Sequence, residues 1–139
     1  MKNFRKYLLL FFSALLITSC GSSDEKDIRA ACEKQVAALN KEDMNEFLST
    51  LDVEGDEIHA VQMVFEDVFQ QYDLETTLKD VKVLKVEKDT AEVEITQVIV
   101  KKAGADFVNN TTVSLNTLVK KDGVWKFSKI ETKSKEALK

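Results

Sequence analysis

An α+β fold, N-terminal helices packed on a curved four-stranded antiparallel sheet, is what this 139-residue chain predicts. Three observations predict it. Apolar residues recur at helical spacing through the first half, the period switches to two from Leu74 onward, and an Asp-Gly pair marks a hairpin between the last two alternating runs.

Ahead of the helices stands a leader. Lys2, Arg5 and Lys6 form a positive start, and Tyr7 to Ile17 is an apolar run of secretory-signal length. The run is too short to span a bilayer, which needs about 20 apolar residues. Ile17, Thr18, Ser19 and Cys20 close it: small residues admit a peptidase to the backbone, and the Cys20 thiol is the nucleophile at hand for a thioether. These four residues resemble the lipobox of bacterial lipoproteins. The resemblance implies cleavage between Ser19 and Cys20 and acylation (diacylglyceryl, with palmitate-type chains) of Cys20, which anchors the chain stably because two chains hold where one is marginal. An ordinary cleaved secretory signal is the alternative. The organisation is then a signal peptide over residues 1–19, the lipidated cysteine and a short Gly-Ser tether over 20–26, one α+β domain over 27–133, and a charged tail over 134–139.

The first helix shows Ile28, Ala31, Cys32, Gln35, Val36 and Leu39 at a 3.6 period, with Ser22 and Glu25 spaced as a capping box and Asn40 as its end. Asp43 caps a short second helix carrying Met44, Phe47, Leu48 and Leu51, broken by Asp52 to Gly55. The third runs from about Asp56 to Tyr72, with Val61, Val64, Phe65, Val68, Phe69 and Tyr72 as one apolar stripe.

In the first strand, Val81 and Val83 alternate, then Leu84 and Val86 continue in the opposite phase, which predicts a bulge at Val83 and Leu84. Ala91, Val93 and Ile95 alternate in the second, and Val98 and Val100 shift phase, so that strand is expected to bend too. Phe107 to Lys120 is the third, with Val113, Leu115, Thr117 and Val119 on one face and Thr112 and Ser114 outward with Lys82, Lys85, Glu92 and Glu94. Lys121, Asp122 and Gly123 turn into the fourth, Val124 to Thr132, where Trp125 and Phe127 share a face.

The phrase from Ala38 to Leu51, the Ala91-to-Ile95 strand and the closing run Lys121 to Phe127 are similar to nuclear transport factor 2-like domains of the cystatin-like superfold, of the SnoaL and DUF4878 type. The resemblance implies a cone of sheet and helices, here a reduced one with three helices in succession. That superfamily holds isomerases, dehydratases, binding modules and oligomerisation domains, so function must come from residues.

Composition excludes some classes. The net charge is −4 and becomes more negative once the basic leader is removed, which opposes nucleic acid as a partner. With Cys20 acylated, Cys32 is the remaining thiol, on the buried face of the first helix and without a basic neighbour to activate it. Asp52, Glu54, Asp56 and Glu57 are dense in acid, but a calcium loop starting at Asp52 would need glycine where Glu57 stands and an acid where Met63 stands, so no metal site is predicted. No cofactor motif is present. His59 lies off the apolar stripe and reads as solvated, Tyr72 as a core tyrosine with its tip at a rim, and Trp125 as hairpin core; these three are the pocket candidates, and no catalytic residue is assigned. The expectation is an exported lipoprotein on a bacterial cell membrane, at the outer face of the cytoplasmic membrane or in the outer membrane of a Gram-negative host. It is expected to be noncatalytic and to bind a small apolar ligand or an envelope protein. An isomerase- or dehydratase-type enzyme and a homodimerising module are the alternatives.

Overall fold

The computed structural model describes residues 20–139, with side chains from Ser23 onward. The leader over 1–19 and the side chain of Cys20, hence the cleavage and lipidation positions, lie outside the described residues. The order is α1 (Cys20–Asn40), α2 (Met44–Ser49), α3 (Asp56–Gln71), β1 (Tyr72–Glu87), β2 (Thr90–Gly104), β3 (Asn110–Lys121) and β4 (Val124–Ala137). The strands pair antiparallel in chain order in a single sheet. This is the expected arrangement of three helices followed by a meander.

Each boundary has a local cause. Asp43 Oδ1 accepts from the Glu46 backbone N–H at 3.0 Å and caps α2 as expected. The α1 C-terminus closes through Glu42 N–H to the Leu39 carbonyl at 3.1 Å and Asp43 N–H to the Ala38 carbonyl at 3.0 Å. Glu42 sits there at φ 54°, a left-handed position where glycine is usual and where a side chain costs roughly 1–2 kcal/mol. Asp122 and Gly123, at φ 51° and 77°, make the two-residue turn the Asp-Gly pair predicts.

The core lies between the helices and the concave face of the sheet. Ile28 and Cys32 of α1 and Phe47 of α2 are buried against Val81, Val93, Leu118, Trp125 and Phe127. After α2 the chain docks on β4, with Phe127 N–H donating to the Thr50 carbonyl at 2.9 Å and Asp52 N–H to the Phe127 carbonyl at 2.8 Å. This parallel bridge between Leu51 and Phe127 holds α2 on the sheet.

Several strand details differ from expectation. The bulge at Val83 and Leu84 is present, and Leu84 is turned outward at 54% exposure. The irregularity expected in β2 falls at Lys102 rather than at Val98, opposite Asp73 and Leu74; β1 has an extra residue between Leu78 and Asp80, and β2 pairs with β3 without a break from Thr90 to Ile99. Ala91, Val93 and Ile95 therefore continue in phase into Gln97 and Ile99, and Val98 and Val100 lie on the convex face. The faces of β3 are the reverse of those expected: Ser114, Asn116 and Leu118 are buried opposite Ile95, Val93 and Ala91, and Val113, Leu115, Thr117 and Val119 are half-buried on the convex side. The buried polar groups satisfy one another, since the Asn116 amide donates to Ser114 Oγ at 2.9 Å and to the Val93 carbonyl at 3.3 Å. Residues 134–137, read as tail, are strand paired with Asn110 to Val113. α1 starts at Cys20, so the backbone of Gly21 and Ser22, read as tether and cap, is already helical.

Candidate functional site

The open end of the cone holds a cavity of about 250 Å³. Helices supply Gln35 and Leu39, Phe47, and the Phe65, Val68 and Phe69 stripe of α3; strands supply Tyr72, Leu74, Thr76, Gln97, Ile99 and Ile130. Phe47 and Phe65 meet with ring centroids 4.3 Å apart, and Phe65 and Phe69 at 6.1 Å. Such an apolar concavity with a few polar groups is the usual form of a small-molecule site.

Two devices hold its mouth. The Asn40 carboxamide spans from α1 to the edge of β1, donating through Nδ2 to the Thr76 carbonyl at 2.9 Å and accepting the Thr76 N–H on Oδ1 at 2.8 Å. At the other side Gly104, at φ 98°, lies so close to Gln71 that a side chain there would run into the Gln71 carbonyl. That approach seats the β2 end against the α3–β1 junction, where Tyr72 pairs with Gly104 and its ring packs edge-on to Phe107 at 5.9 Å.

Of the three pocket candidates, the structure brings only Tyr72 to this cavity. His59 is exposed in the first turns of α3 and takes no part in the lining. Trp125 is 3% exposed and belongs to the core under α1, beside a separate shallow cleft with Ala31, Lys34 and Thr50. The Lys120 ammonium stands 5.6 Å from its ring centroid and is bonded to Asp24 at 3.1 Å. Burial pushes the Cys32 thiol up to about 12, against a smaller opposing pull from Arg29, so it is an inert core group. Asp52 and Glu54 are paired with Lys121 at 2.5 and 3.8 Å, and no metal-ligating cluster of three or more His, Cys, Asp or Glu occurs among the described residues.

Sequence reasoning missed Gln35, Gln97 and Glu42 at the site. Gln97 was detectable as the continuation of the Ala91, Val93, Ile95 alternation. Glu42, exposed and at the mouth, is the one charged side chain among the described residues that line the cavity.

The fold and its cavity define an NTF2-like, or cystatin-like, cone domain. A sequence profile described as the anti-sigma-I factor RsgI9, C-terminal domain, matches residues 30–138, and the chain belongs to that family. Among solved structures, it is similar to an NTF2-like family protein of Streptomyces avermitilis assigned as a dehydratase, with TM-score 0.67 and 18% identity over 80% of this chain and 95% of that one. It is also similar to a protein of unknown function with a cystatin-like fold from Nostoc punctiforme, with TM-score 0.65 and 15% identity over 80% and 90%. A hexachlorocyclohexane dehydrochlorinase LinA-type3 from Novosphingobium barchaimii gives TM-score 0.65 and 17% identity over 84% and 91%. At these identities the likeness is one of fold. No curated protein sequence matches the chain.

Proposed function

We propose that the chain is a lipid-anchored, noncatalytic domain of the bacterial cell envelope whose cone binds a small apolar ligand. The cavity carries this reading: its walls are aromatic and aliphatic, and the ionisable groups along it are Glu42, exposed at the mouth, and the Tyr72 phenol. Acid–base turnover needs a positioned proton donor or acceptor in a partly dry site, whereas His59 stands outside. A family named for the terminal domain of a regulator supports recognition over catalysis. The anchor rests on the sequence from Lys2 to Cys20. Among the described residues no helix is long and apolar enough to cross a membrane.

A second reading, self-association through the sheet, is favoured by one observation. Val98, Val100, Val113 and Leu115 share the convex face and remain half-exposed there. The dehydratase and dehydrochlorinase named among the fold relatives keep the enzyme alternative in view.

The test has two arms. Cys20→Ala should move the protein from the detergent phase to the aqueous phase and abolish palmitate labelling while leaving it folded. Calorimetry of the chain in lipid nanodiscs should show uptake of the neutral ester 3,3-dimethylbutyl acetate, lost in Ile99→Arg, which fills the cavity with charge. Wild-type partitioning of Cys20→Ala would remove the anchor, and unchanged uptake by Ile99→Arg would remove the site.

A further inference from the structure

We propose that the ligand class of the cone is an organic cation, an ammonium or quaternary ammonium with an apolar body, an inference that rests on reading the cavity as a ligand site. Four aromatic side chains, Phe47, Phe65, Phe69 and Tyr72, stand around one small cavity, and the faces of such rings attract a desolvated cation. Glu42 supplies the charge complement. It is the one charged group among the described lining residues, so an anionic ligand would meet only repulsion there and a cation an attractive carboxylate at the entrance.

Charges of both signs stand around the mouth. The shallow depression that continues from the mouth adds Asp73 and Lys41, and the exposed Lys41 ammonium lies 4.0 Å from the Glu46 carboxylate. Just outside, the Lys135 ammonium stands 5.7 Å from the Phe107 ring that packs on Tyr72, so this protein already seats an ammonium on an aromatic ring at that edge. The net charge of −4 steers cations toward the domain. Glu42 also occupies a backbone position at φ 54° where glycine is easier, so the carboxylate is held at the mouth against local preference.

The experiment compares an isosteric pair, acetylcholine and 3,3-dimethylbutyl acetate, which differ in whether nitrogen or carbon bears the three methyl groups. Both are titrated calorimetrically into the chain in lipid nanodiscs, with empty nanodiscs as blank. Acetylcholine should bind about tenfold more tightly, the size expected of a desolvated cation–π contact with a rim carboxylate. Glu42→Gln should remove much of that preference, and Phe69→Leu should weaken the cation more than the ester. Glu42→Gly should remove as much of the preference as Glu42→Gln while raising the midpoint of unfolding, a combination that loss of structure cannot produce. Equal or tighter binding of the neutral ester overturns the cation inference and leaves the cavity reading standing; binding of neither overturns both.

Discussion

Asn40 is the side chain whose removal should be felt most directly at the mouth of the cone. β1 is an edge strand, and the Thr76 N–H and carbonyl engaged by Asn40 have no strand beyond them to pair with. Thr76 is 8% exposed, so water reaches these groups poorly when the carboxamide is gone. Each hydrogen bond is worth about 1 kcal/mol net, and each stranded buried group costs about 1–3 kcal/mol. Asn40 itself is exposed, which lets water recover part of the loss. Asn40→Ala should therefore destabilise the domain by about 2–3 kcal/mol, a sizeable share of the 5–15 kcal/mol usual for a domain. Asn40→Asp should do no better, because it keeps the acceptor but sets an oxygen against the Thr76 carbonyl. Urea unfolding followed by far-UV circular dichroism measures this as a lower midpoint at unchanged m-value. A shift below about 0.5 kcal/mol would show that water serves the β1 edge as well as Asn40 does, and that the mouth is not braced by this contact.

Trp125→Ala should cost about 3–5 kcal/mol, as expected for a large ring 3% exposed, whereas Trp125→Phe should cost less than half of that because the buried Nε1 has no protein partner to lose; equal losses in the two variants by urea unfolding would contradict this. For Cys32 the folded thiol holds its proton to about 12 while the unfolded one releases it near its ordinary value of 9.0, so the unfolded chain binds fewer protons in between. The stability this group contributes is complete below pH 9 and falls as pH rises toward about 12. Lys120 and Lys121, raised by the hydrogen bonds they donate to Asp24 and Asp52, weaken their pairs at the top of the same range in any variant. The wild-type minus Cys32→Ala difference in unfolding midpoint between pH 8 and pH 11 therefore isolates the thiol, and parallel profiles would refute its burial.

Long periodic segments were legible because burial imposes their period. Ile28, Ala31 and Cys32, or Phe65, Val68 and Phe69, can share a face only on a helix, because a strand would send the i+3 residue to the other side, and the Asp122-Gly123 turn needs left-handed backbone that these two residues tolerate. β3 was misread because the apolar residues were assigned to the inside. Its concave face is instead filled by Ser114 and Asn116, which are satisfied by bonding each other, while valines and leucine face outward. Burial of a satisfied polar group leaves no trace in a hydropathy pattern. The β4 end was lost for a similar reason: Lys133 to Ala137 is exposed and is held by backbone pairing to β3, to which alternation is blind. At the site, Tyr72 was legible as the end of a stripe. Glu42 was not, because its importance comes from the backbone turn that aims α1 into α2, a feature of φ rather than of residue type.

The 21 residues of α1 form one unbroken rod from Cys20 to Asn40, about 30 Å long at ~1.5 Å per residue. The proposed anchor is at one end of that rod and the entrance, beside Asn40 and Glu42, at the other. The Lys120–Asp24 bond ties the near end of the rod to the β3–β4 hairpin. Were Cys20 anchored as proposed, the helix would begin at the attachment point with no flexible spacer, and the entrance could stand as far from that point as the rod is long.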